Sequence, residues 1–294
     1  MLPPHSILVA VDFSEPSRDA LAFAARLARQ CDAKLHVLHA EEPLLAAAAA
    51  QTGIDLNRET REELDAFINA TPPAAECAPC RDVVTGAAIT AILNIAHREG
   101  SDLIVLGAHG MSMTARTFFG SVTEGVLERA DRSTLVVPSG WRPPQPDMPG
   151  LAGVGPLIVA VDFTSSAIAA AVAASHLAER LQTAVEAVHV VPDLAVPARW
   201  RPHADRVAAE KTEVARRDLA RLMGTIASPV PITTHVESGR VAERLAELAA
   251  PIGSRHPMLV LGRRGPRFRD GAPGSTAFRV AALSRVPVLM HVET

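Results

Sequence analysis

Glycine, histidine and hydroxyl residues between positions 107 and 123 are the part of this sequence best suited to bind a charged ligand. Gly107-Ala-His-Gly110 ends the apolar run Leu103–Leu106, and after nine intervening residues Gly120-Ser-Val-Thr123 leads into a helical pattern. Glycines let the main chain approach a ligand closely, and the first N–H groups of a helix attract anions. The stretch therefore predicts a phosphate-binding loop between a buried strand and a helix.

This loop differs from the two common phosphate-binding motifs. The chain contains no Gly-x-Gly-x-x-Gly sequence. Gly120 and Gly125 have the spacing of a P-loop, but Val126-Leu127 follows where that motif has Lys-Ser/Thr. A catalytic triad, a metalloprotease helix and a Gly-x-Ser-x-Gly elbow are also absent from the sequence. We therefore expect a binding site with no catalytic residue and no protein ligand to a metal.

The sequence contains an internal repeat. Ile7-Leu-Val-Ala-Val-Asp-Phe-Ser14 recurs 150 positions later as Leu157-Ile-Val-Ala-Val-Asp-Phe-Thr164. Leu103-Ile-Val-Leu-Gly107 similarly recurs as Met258-Leu-Val-Leu-Gly262. Repetition in the same order over such lengths indicates duplicated domains, because a solenoid would need several shorter units.

The boundary between the copies follows from composition. Residues 139–156 hold five prolines and four glycines without a periodic apolar pattern, which is typical of a linker. We therefore divide the 294 residues into a first domain at 1–140, a linker at 141–156 and a second domain at 157–294.

Short apolar runs alternate with helical patterns inside each copy. This alternation predicts an α/β fold, a doubly wound parallel sheet with helices on both faces. Ligands on such sheets bind beyond the carboxyl ends of the strands. Asp12, His39 and Gly107 all follow or end predicted strands. In the first copy we expect strands near 34–39, 81–85, 103–107 and 134–138 and helices near 54–70, 87–99 and 121–130; the second copy has its longer helix near 204–225.

Composition excludes several classes of protein. The net charge of −3 gives no footprint for nucleic acid, and three cysteines in a chain of this length do not form a disulfide scaffold. The apolar segment Pro43–Ala50 is too short to cross a bilayer, and the first residues lack the basic region of a signal peptide. We therefore expect a cytoplasmic protein that binds neither nucleic acid nor membranes.

These features together resemble a tandem universal stress protein, in which two universal-stress domains are fused. The motifs are Asp12 in Val-Asp-Phe-Ser, Gly86 after Val-Val-Thr, and Gly107-x2-Gly110-x9-Gly120-Ser, the last being the nucleotide-binding signature of that family. The resemblance implies a five-stranded parallel sheet in each domain. It also implies ATP as the ligand, with Mg²⁺ or Mn²⁺ on its phosphates: Asp12, Val37 and Leu38 would frame the adenine and ribose, and Gly107, Gly110, Gly120, Ser121 and Val122 would line the ribose and phosphates. From the residues themselves we add Val11, His109 and Thr123 to this predicted site.

The residues themselves allow two interpretations of this site. Asp12 can accept hydrogen bonds from an adenine amino group or a sugar hydroxyl, between apolar walls of Val11 and Val37. Alternatively, Asp12 caps the following helix and the glycines only turn the chain. His109 either reaches a phosphate or ribose, or is a solvated loop residue.

The second copy departs from the signature, because only eight residues, including two prolines, separate Gly265 from Gly274. Four arginines lie in or beside this loop and suit phosphate, so the copy either binds nucleotide or is a decayed structural partner. The residues that would bind there are Asp162, Gly262, Gly265, Gly274, Ser275 and Thr276.

Two functions remain open from the sequence. The first is a nucleotide-binding stress or regulatory protein, in which ATP orders the 107–123 loop for an unidentified protein partner; slow ATP hydrolysis is compatible with it. The second is an interaction scaffold with neither site occupied. An adenylating enzyme is disfavoured because the Ser-Gly-Gly-x-Asp-Ser loop of those families is missing.

Two further features concern assembly and cysteine chemistry. The last strand of each copy, near 134–138 and 286–291, is expected at a sheet edge, where unpaired strands invite pairing. The resemblance implies an intrachain pseudo-dimer through these strands, and leaves a homodimer open. Cys77-Ala-Pro-Cys80 is either half of a zinc or redox site or a pair of ordinary thiols.

Overall fold

The computed structural model describes residues 3–109, 119–141, 154–193, 197–250, 256–263 and 275–293. These residues form two compact units, divided after residue 143. We call them the N-terminal unit and the C-terminal unit. Most of the predicted linker lies outside the described residues.

The N-terminal unit is a parallel sheet covered by helices, in the strand order β3-β2-β1-β4-β5. The order runs one way from β1 to β3 and the other way from β4 to β5, which confirms the predicted doubly wound α/β class. Its elements are β1 Ser6–Ala10, α1 Glu15–Cys31, β2 Lys34–Glu41, α2 Pro43–Gln51, α3 Leu56–Asn69, α4 Pro72–Glu76, β3 Cys80–Thr85, α5 Ala88–Arg98, β4 Leu103–Gly107, α6 Ser121–Arg129 and β5 Ser133–Val137.

Helix α1 begins where the sequence signals predict. The Ser14 hydroxyl accepts a hydrogen bond from the Ser17 N–H, and a proline stands in the first turn. The helix ends at Asp32, whose left-handed backbone (φ 54°, ψ 43°) donates its N–H to the Ala28 carbonyl. Leu21, Ala24 and other apolar residues at helical spacing are buried, so α1 covers one face of the sheet.

The opposite face of the sheet packs on α5 and α6. Leu8, Leu38 and Ile104 from three neighbouring strands form one buried cluster with Ile92 of α5 and Val126 of α6. This layer sets the distance between α5 and the strand ends, and thereby the width of the site described below.

The C-terminal unit repeats the arrangement, with the strand order β8-β7-β6-β9-β10 and all four pairings parallel. A short 3₁₀ helix, Ala198–Trp200, precedes its longest helix. Its elements are β6 Leu157–Ala160, α7 Ser165–Leu181, β7 Val185–Pro192, α8 Arg201–Gly224, β8 Ile232–Gly239, α9 Val241–Leu248, β9 Met258–Arg263, α10 Ser275–Leu283 and β10 Val288–Val292.

The predicted strands and helices are confirmed to within a few residues. Helix α4, which starts with two prolines, is not predicted because prolines favour only a first helical turn. In the described part of the chain, no helix combines the length and apolar character that crossing a membrane requires.

Candidate functional site

A cavity of about 420 Å³ opens at the carboxyl ends of β1, β2 and β4 in the N-terminal unit. This is the point where the strand order reverses, the usual ligand position on a doubly wound sheet. The cavity is lined by Ala10, Val11, Asp12, Ser17, Leu38, His39, Ala40, Glu42, Ala88, Ile92, Leu106, Gly107, His109, Gly120, Ser121, Val122 and Thr123.

Asp12 both lines this cavity and organises the start of α1. Its Oδ1 accepts hydrogen bonds from the N–H (3.2 Å) and the hydroxyl of Ser14, the residue that caps α1. The Asp12 N–H donates to the Ser17 hydroxyl at 3.3 Å. Asp12 therefore holds the capping residue rather than capping the helix itself, and these bonds fix its carboxylate at the cavity wall.

His39 supports the same loop from the end of β2. Its Nδ1 lies 2.9 Å from the Val11 carbonyl oxygen, and its ring stacks on Phe13 with 4.4 Å between centroids. Phe13 has a left-handed backbone (φ 64°), which is strained for an aromatic residue. Phe67 contacts the Phe13 ring edge-on at 5.6 Å, and the Arg18 guanidinium lies 4.2 Å from the centroid of Phe67. This stack keeps Phe13 in its unusual conformation.

Gly107 has a packing role that the sequence did not reveal. A Cβ at this position would lie 2.9 Å from the Pro16 carbonyl oxygen, because the first turn of α1 crosses close to the end of β4. The Gly107 carbonyl accepts a hydrogen bond from the buried Thr123 hydroxyl at 2.8 Å. The Gly120 N–H donates to the Ala108 carbonyl at 3.0 Å. Glycine is therefore required at 107 by the fold, and α6 is fastened to β4.

The N-terminus of α6 lies at this cavity. Gly120 precedes the helix and has no side chain to cap it, so the N–H groups of the first turn face outward from the helix start. Ser121, Val122 and Thr123 supply these N–H groups, and all three residues line the cavity. The positive end of the helix dipole adds to their attraction for negative charge.

The structure brings most of the predicted first-copy residues together at the cavity. Val37 is the exception: it is fully buried in the sheet and is absent from the cavity lining. Adjacent strand residues point to opposite faces, so Val37 points away from Leu38, which packs on the α5 side. Gly110 lies outside the described residues.

Several lining residues were not predicted from the sequence. Ser17, Ala40, Glu42 and Ala88 contribute to the wall, although none belongs to the glycine signature. Ala88 could have been predicted to lie near the site, because it is the first residue of α5 and follows the predicted strand and Gly86. His39, which the sequence places at a strand end, is among the lining residues, and its Nδ1 bonds to the Val11 carbonyl just after β1.

The C-terminal unit has a smaller cavity of about 270 Å³ at the equivalent strand ends. Asp162 again holds the helix cap, since its Oδ1 accepts from the Thr164 N–H at 3.1 Å. His189 Nδ1 again lies 2.7 Å from the Val161 carbonyl oxygen. The cavity is lined by Ala160, Val161, Asp162, Ala167, Val188, His189, Val190, Pro192, Val241, Leu245, Leu261, Gly262, Thr276 and Ala277.

Bulkier or less polar residues replace their counterparts in this second cavity. Val241 and Pro192 stand where the N-terminal unit has Ala88 and Glu42. Ala277 stands in the position of Thr123, so the hydroxyl tether from α6 to β4 has no equivalent there. The second cavity is thus smaller, and among its described lining residues fewer carry polar side chains.

The predicted binding residues of the second copy are only partly described. Asp162, Gly262 and Thr276 line the cavity, and a Cβ on Gly262 would lie 2.2 Å from the Ser166 carbonyl oxygen. Close packing therefore requires glycine at 262, as it does at 107. Ser275 begins α10, whereas Gly265 and Gly274 lie outside the described residues.

The cysteine motif lies outside both cavities. Cys77 caps α4 and donates its thiol to the Ala25 carbonyl oxygen (3.4 Å), whereas Cys80 starts β3. Burial raises the pKa of the Cys77 thiol, which lowers its reactivity at neutral pH. Both are free thiols, and no cluster of metal-ligating side chains was found among the described residues.

Relatives of known structure share the fold of the whole chain. A universal stress protein from Archaeoglobus fulgidus has a TM-score of 0.62 at 18% identity, covering 98% of this chain and 96% of that one. Protein PA1789 from Pseudomonas aeruginosa has a TM-score of 0.60 at 17% identity, covering 99% and 93%.

Sequence comparisons identify the family in both units. The universal stress protein YxiE of Bacillus subtilis is 30% identical over 145 residues, covering 45% of this chain and 98% of that protein. The model of the universal stress protein family matches residues 4–138 and again residues 154–291. These two matches take in nearly the whole chain, which therefore belongs to the universal stress protein family as a tandem member.

Proposed function

We propose that this protein binds ATP in the N-terminal unit and acts in stress response or regulation through the bound nucleotide. The observation that carries the proposal is the pairing of two features in one cavity. An uncapped helix N-terminus is one of them, and the fixed Asp12 carboxylate is the other. The first suits a phosphate chain and the second suits the sugar and base.

The charges around the cavity also support a metal-bound nucleotide. Among the described residues that line it, none is a lysine or arginine, and Asp12 and Glu42 contribute carboxylates. A triphosphate placed there needs its charge offset by the N–H groups of α6 and by a divalent cation. Mg²⁺ prefers to bind substrate phosphates together with few protein ligands, so Mg²⁺ or Mn²⁺ would arrive with the nucleotide.

The same geometry supports binding rather than rapid turnover. Phosphoryl transfer requires a positioned base or water and groups that stabilise the developing charge. The described lining supplies N–H donors for binding, and the Thr123 hydroxyl is committed to the Gly107 carbonyl. We therefore propose that the nucleotide biases a conformation that a cytoplasmic partner protein recognises, with hydrolysis slow at most.

The test is the nucleotide content of the purified protein, measured by denaturing it and separating the released bases, together with calorimetric titration of ATP and Mg²⁺. Gly120→Val is the decisive variant. Gly120 has an ordinary extended backbone (φ −64°, ψ 149°), which valine adopts readily, so the change adds a side chain at the start of α6 without backbone strain. We expect nucleotide in the wild type and its loss in the variant.

Gly274→Val, the counterpart in the second copy, is the matched control. It leaves the N-terminal cavity unchanged and should retain nucleotide. A wild-type protein that contains no nucleotide and binds none in the titration would instead support the interaction scaffold. Nucleotide retained by Gly120→Val would refute the placement of the phosphates at α6.

A further inference from the structure

Helix α8 of the C-terminal unit exposes three large apolar side chains in one stripe. Trp200 immediately precedes the helix and is 52% exposed, and Val207 and Val214 within it are 40% and 47% exposed. These residues are seven positions apart, which is nearly two helical turns, so they lie on the same side of α8. Ala215 and Leu219, on another side of the helix, are buried in the unit. The stripe is therefore surface and not core.

The fold itself does not require an apolar stripe on this helix. Helix α3 of the N-terminal unit likewise connects the second and third strands of its sheet, and none of its residues is an exposed large apolar side chain. Its exposed positions include Arg58, Glu62 and Glu63. Aligned apolar side chains on the surface are typical of an interaction site. The stripe on α8 is therefore a candidate binding surface.

Polar residues complete the stripe. With 3.6 residues per turn, five exposed polar residues lie within about 50° of the line midway between Val207 and Val214. They are His203, Glu210, Lys211, Asp218 and Arg221. The stripe from residue 200 to residue 221 is about 32 Å long at 1.5 Å per residue. It therefore combines apolar groups with charges of both signs along most of the helix.

The order of these residues is compatible with a second copy of the same helix. Two antiparallel copies of α8, related by a two-fold axis between residues 210 and 211, bring residues at equal distances from the axis to the same level. Val207 then lies level with the second copy's Val214, so apolar groups meet. Asp218 lies level with His203, whose ring can donate a hydrogen bond to a carboxylate.

The ends and the centre of the stripe show the same complementarity. Arg221 lies level with the second copy's Trp200, and an indole ring attracts a guanidinium group. At the axis, each copy contributes Glu210 and Lys211, so the two copies together place equal numbers of positive and negative charges there. No level of the stripe carries an excess of one charge.

We propose that α8 is a homodimer interface, in which it packs antiparallel on α8 of a second copy of this chain. A two-fold interface uses the same patch on both copies and must be complementary to itself, and the stripe meets this condition. A different partner would not impose this order on the charges. The contact is formed mainly by one helix from each copy, so the dimer is expected in the class of small, reversible interfaces.

Sedimentation velocity of the full chain over a concentration series tests the proposal. We expect a monomer–dimer equilibrium with a dissociation constant of about 1–100 μM. Val207→Glu places an unpaired charge in the stripe and should raise this constant about tenfold or more. Val172→Glu is the matched control, because Val172 is an exposed valine on α7 of the same unit, and it should leave the constant unchanged.

A charge exchange tests the antiparallel arrangement. Glu210→Lys gives each copy two lysines at the axis, and Lys211→Glu gives each copy two glutamates. Each variant alone should dimerise about tenfold or more weakly than the wild type, whereas an equimolar mixture should form a heterodimer, because opposite charges then meet. A monomeric wild type at every concentration, a dimer unaffected by Val207→Glu, or a mixture that associates no better than the single variants would overturn the interface.

Discussion

Substituting Ala88 by valine tests whether the width of the N-terminal cavity determines binding. Ala88 is the first residue of α5 and lines the cavity, and valine occupies the equivalent first position of α9 as Val241. The second cavity is also the smaller one, about 270 Å³ against about 420 Å³. Ala88→Val therefore introduces one of the natural differences between the units without other changes.

The expected loss of ATP affinity follows from overpacking. Two added methyl groups project into space that the proposed ligand would occupy, and forcing extra carbon atoms into a filled site costs about 1–3 kcal/mol. This corresponds to a rise of roughly 5- to 150-fold in the dissociation constant of ATP. The unliganded protein should change little in stability, because Ala88 is only half-buried and the helix propensities of valine and alanine differ by less than ~0.7 kcal/mol.

The assay is calorimetric titration of ATP with Mg²⁺, paired with thermal unfolding in the absence of nucleotide. Val241→Ala is the reciprocal variant; it widens the second cavity and should leave the ATP affinity of the N-terminal unit unchanged. If Ala88→Val binds ATP as tightly as the wild type while unfolding at the same temperature, the ligand does not approach α5 and the width of the cavity does not determine binding.

Three other perturbations have defined outcomes. Thr123→Ala removes the hydroxyl tether to the Gly107 carbonyl, so we expect a loss of about 1–2 kcal/mol of stability in denaturant unfolding and severalfold weaker ATP binding. Gly107→Ala places a Cβ 2.9 Å from the Pro16 carbonyl and should cost roughly 1–3 kcal/mol of stability even without nucleotide, which a purely ligand-contacting glycine would not. Burial lowers the pKa of His291 to about 4 from 6.5. The unfolded state therefore binds more protons, and stability should fall by up to about 3 kcal/mol between pH 6.5 and 4. A wild-type unfolding curve whose pH dependence matches that of His291→Gln would refute this contribution.

Much of the fold follows from local sequence patterns. The repeated Val-Asp-Phe run, the alternation of apolar strands with helices and the capping residues of α1 predict two doubly wound units, because each signal acts within a few residues. The glycine signature likewise locates one wall of the site at the end of β4 and the start of α6. These predictions need no knowledge of which elements become neighbours.

The position of Val37 outside the cavity lining and the packing role of Gly107 depend on contacts between distant parts of the chain, not on local sequence. Whether Val37 or Leu38 reaches the cavity depends on the face of β2 that α5 covers, and this face is not encoded in either residue. Gly107 is explained by Pro16, which lies far away in the sequence and meets it only after α1 has packed on the sheet. Residues brought together by packing across such distances leave no local signal.

The duplication indicates which of these features bear on ligand binding. Both units retain an aspartate that holds the helix cap, a phenylalanine with φ 64° and a histidine bonded to the neighbouring strand. A strained aromatic conformation costs about 1–3 kcal/mol and needs support from its surroundings. Since the whole arrangement is present beside both the wider and the narrower cavity, it is an element of the fold first.

Among the described residues, the two cavities differ in a few side chains around that shared arrangement. Ala88 leaves the N-terminal cavity wider than Val241 leaves the other cavity. Thr123 bonds α6 to the Gly107 carbonyl, whereas its counterpart Ala277 has no hydroxyl to do so. The presence of Asp12 and the glycines is therefore weaker evidence for binding than it first suggests, because equivalents of Asp12 and Gly107 serve packing in the C-terminal unit as well. Exchange of these differing residues between the units, rather than removal of the shared ones, is the experiment that separates a ligand site from a folding element.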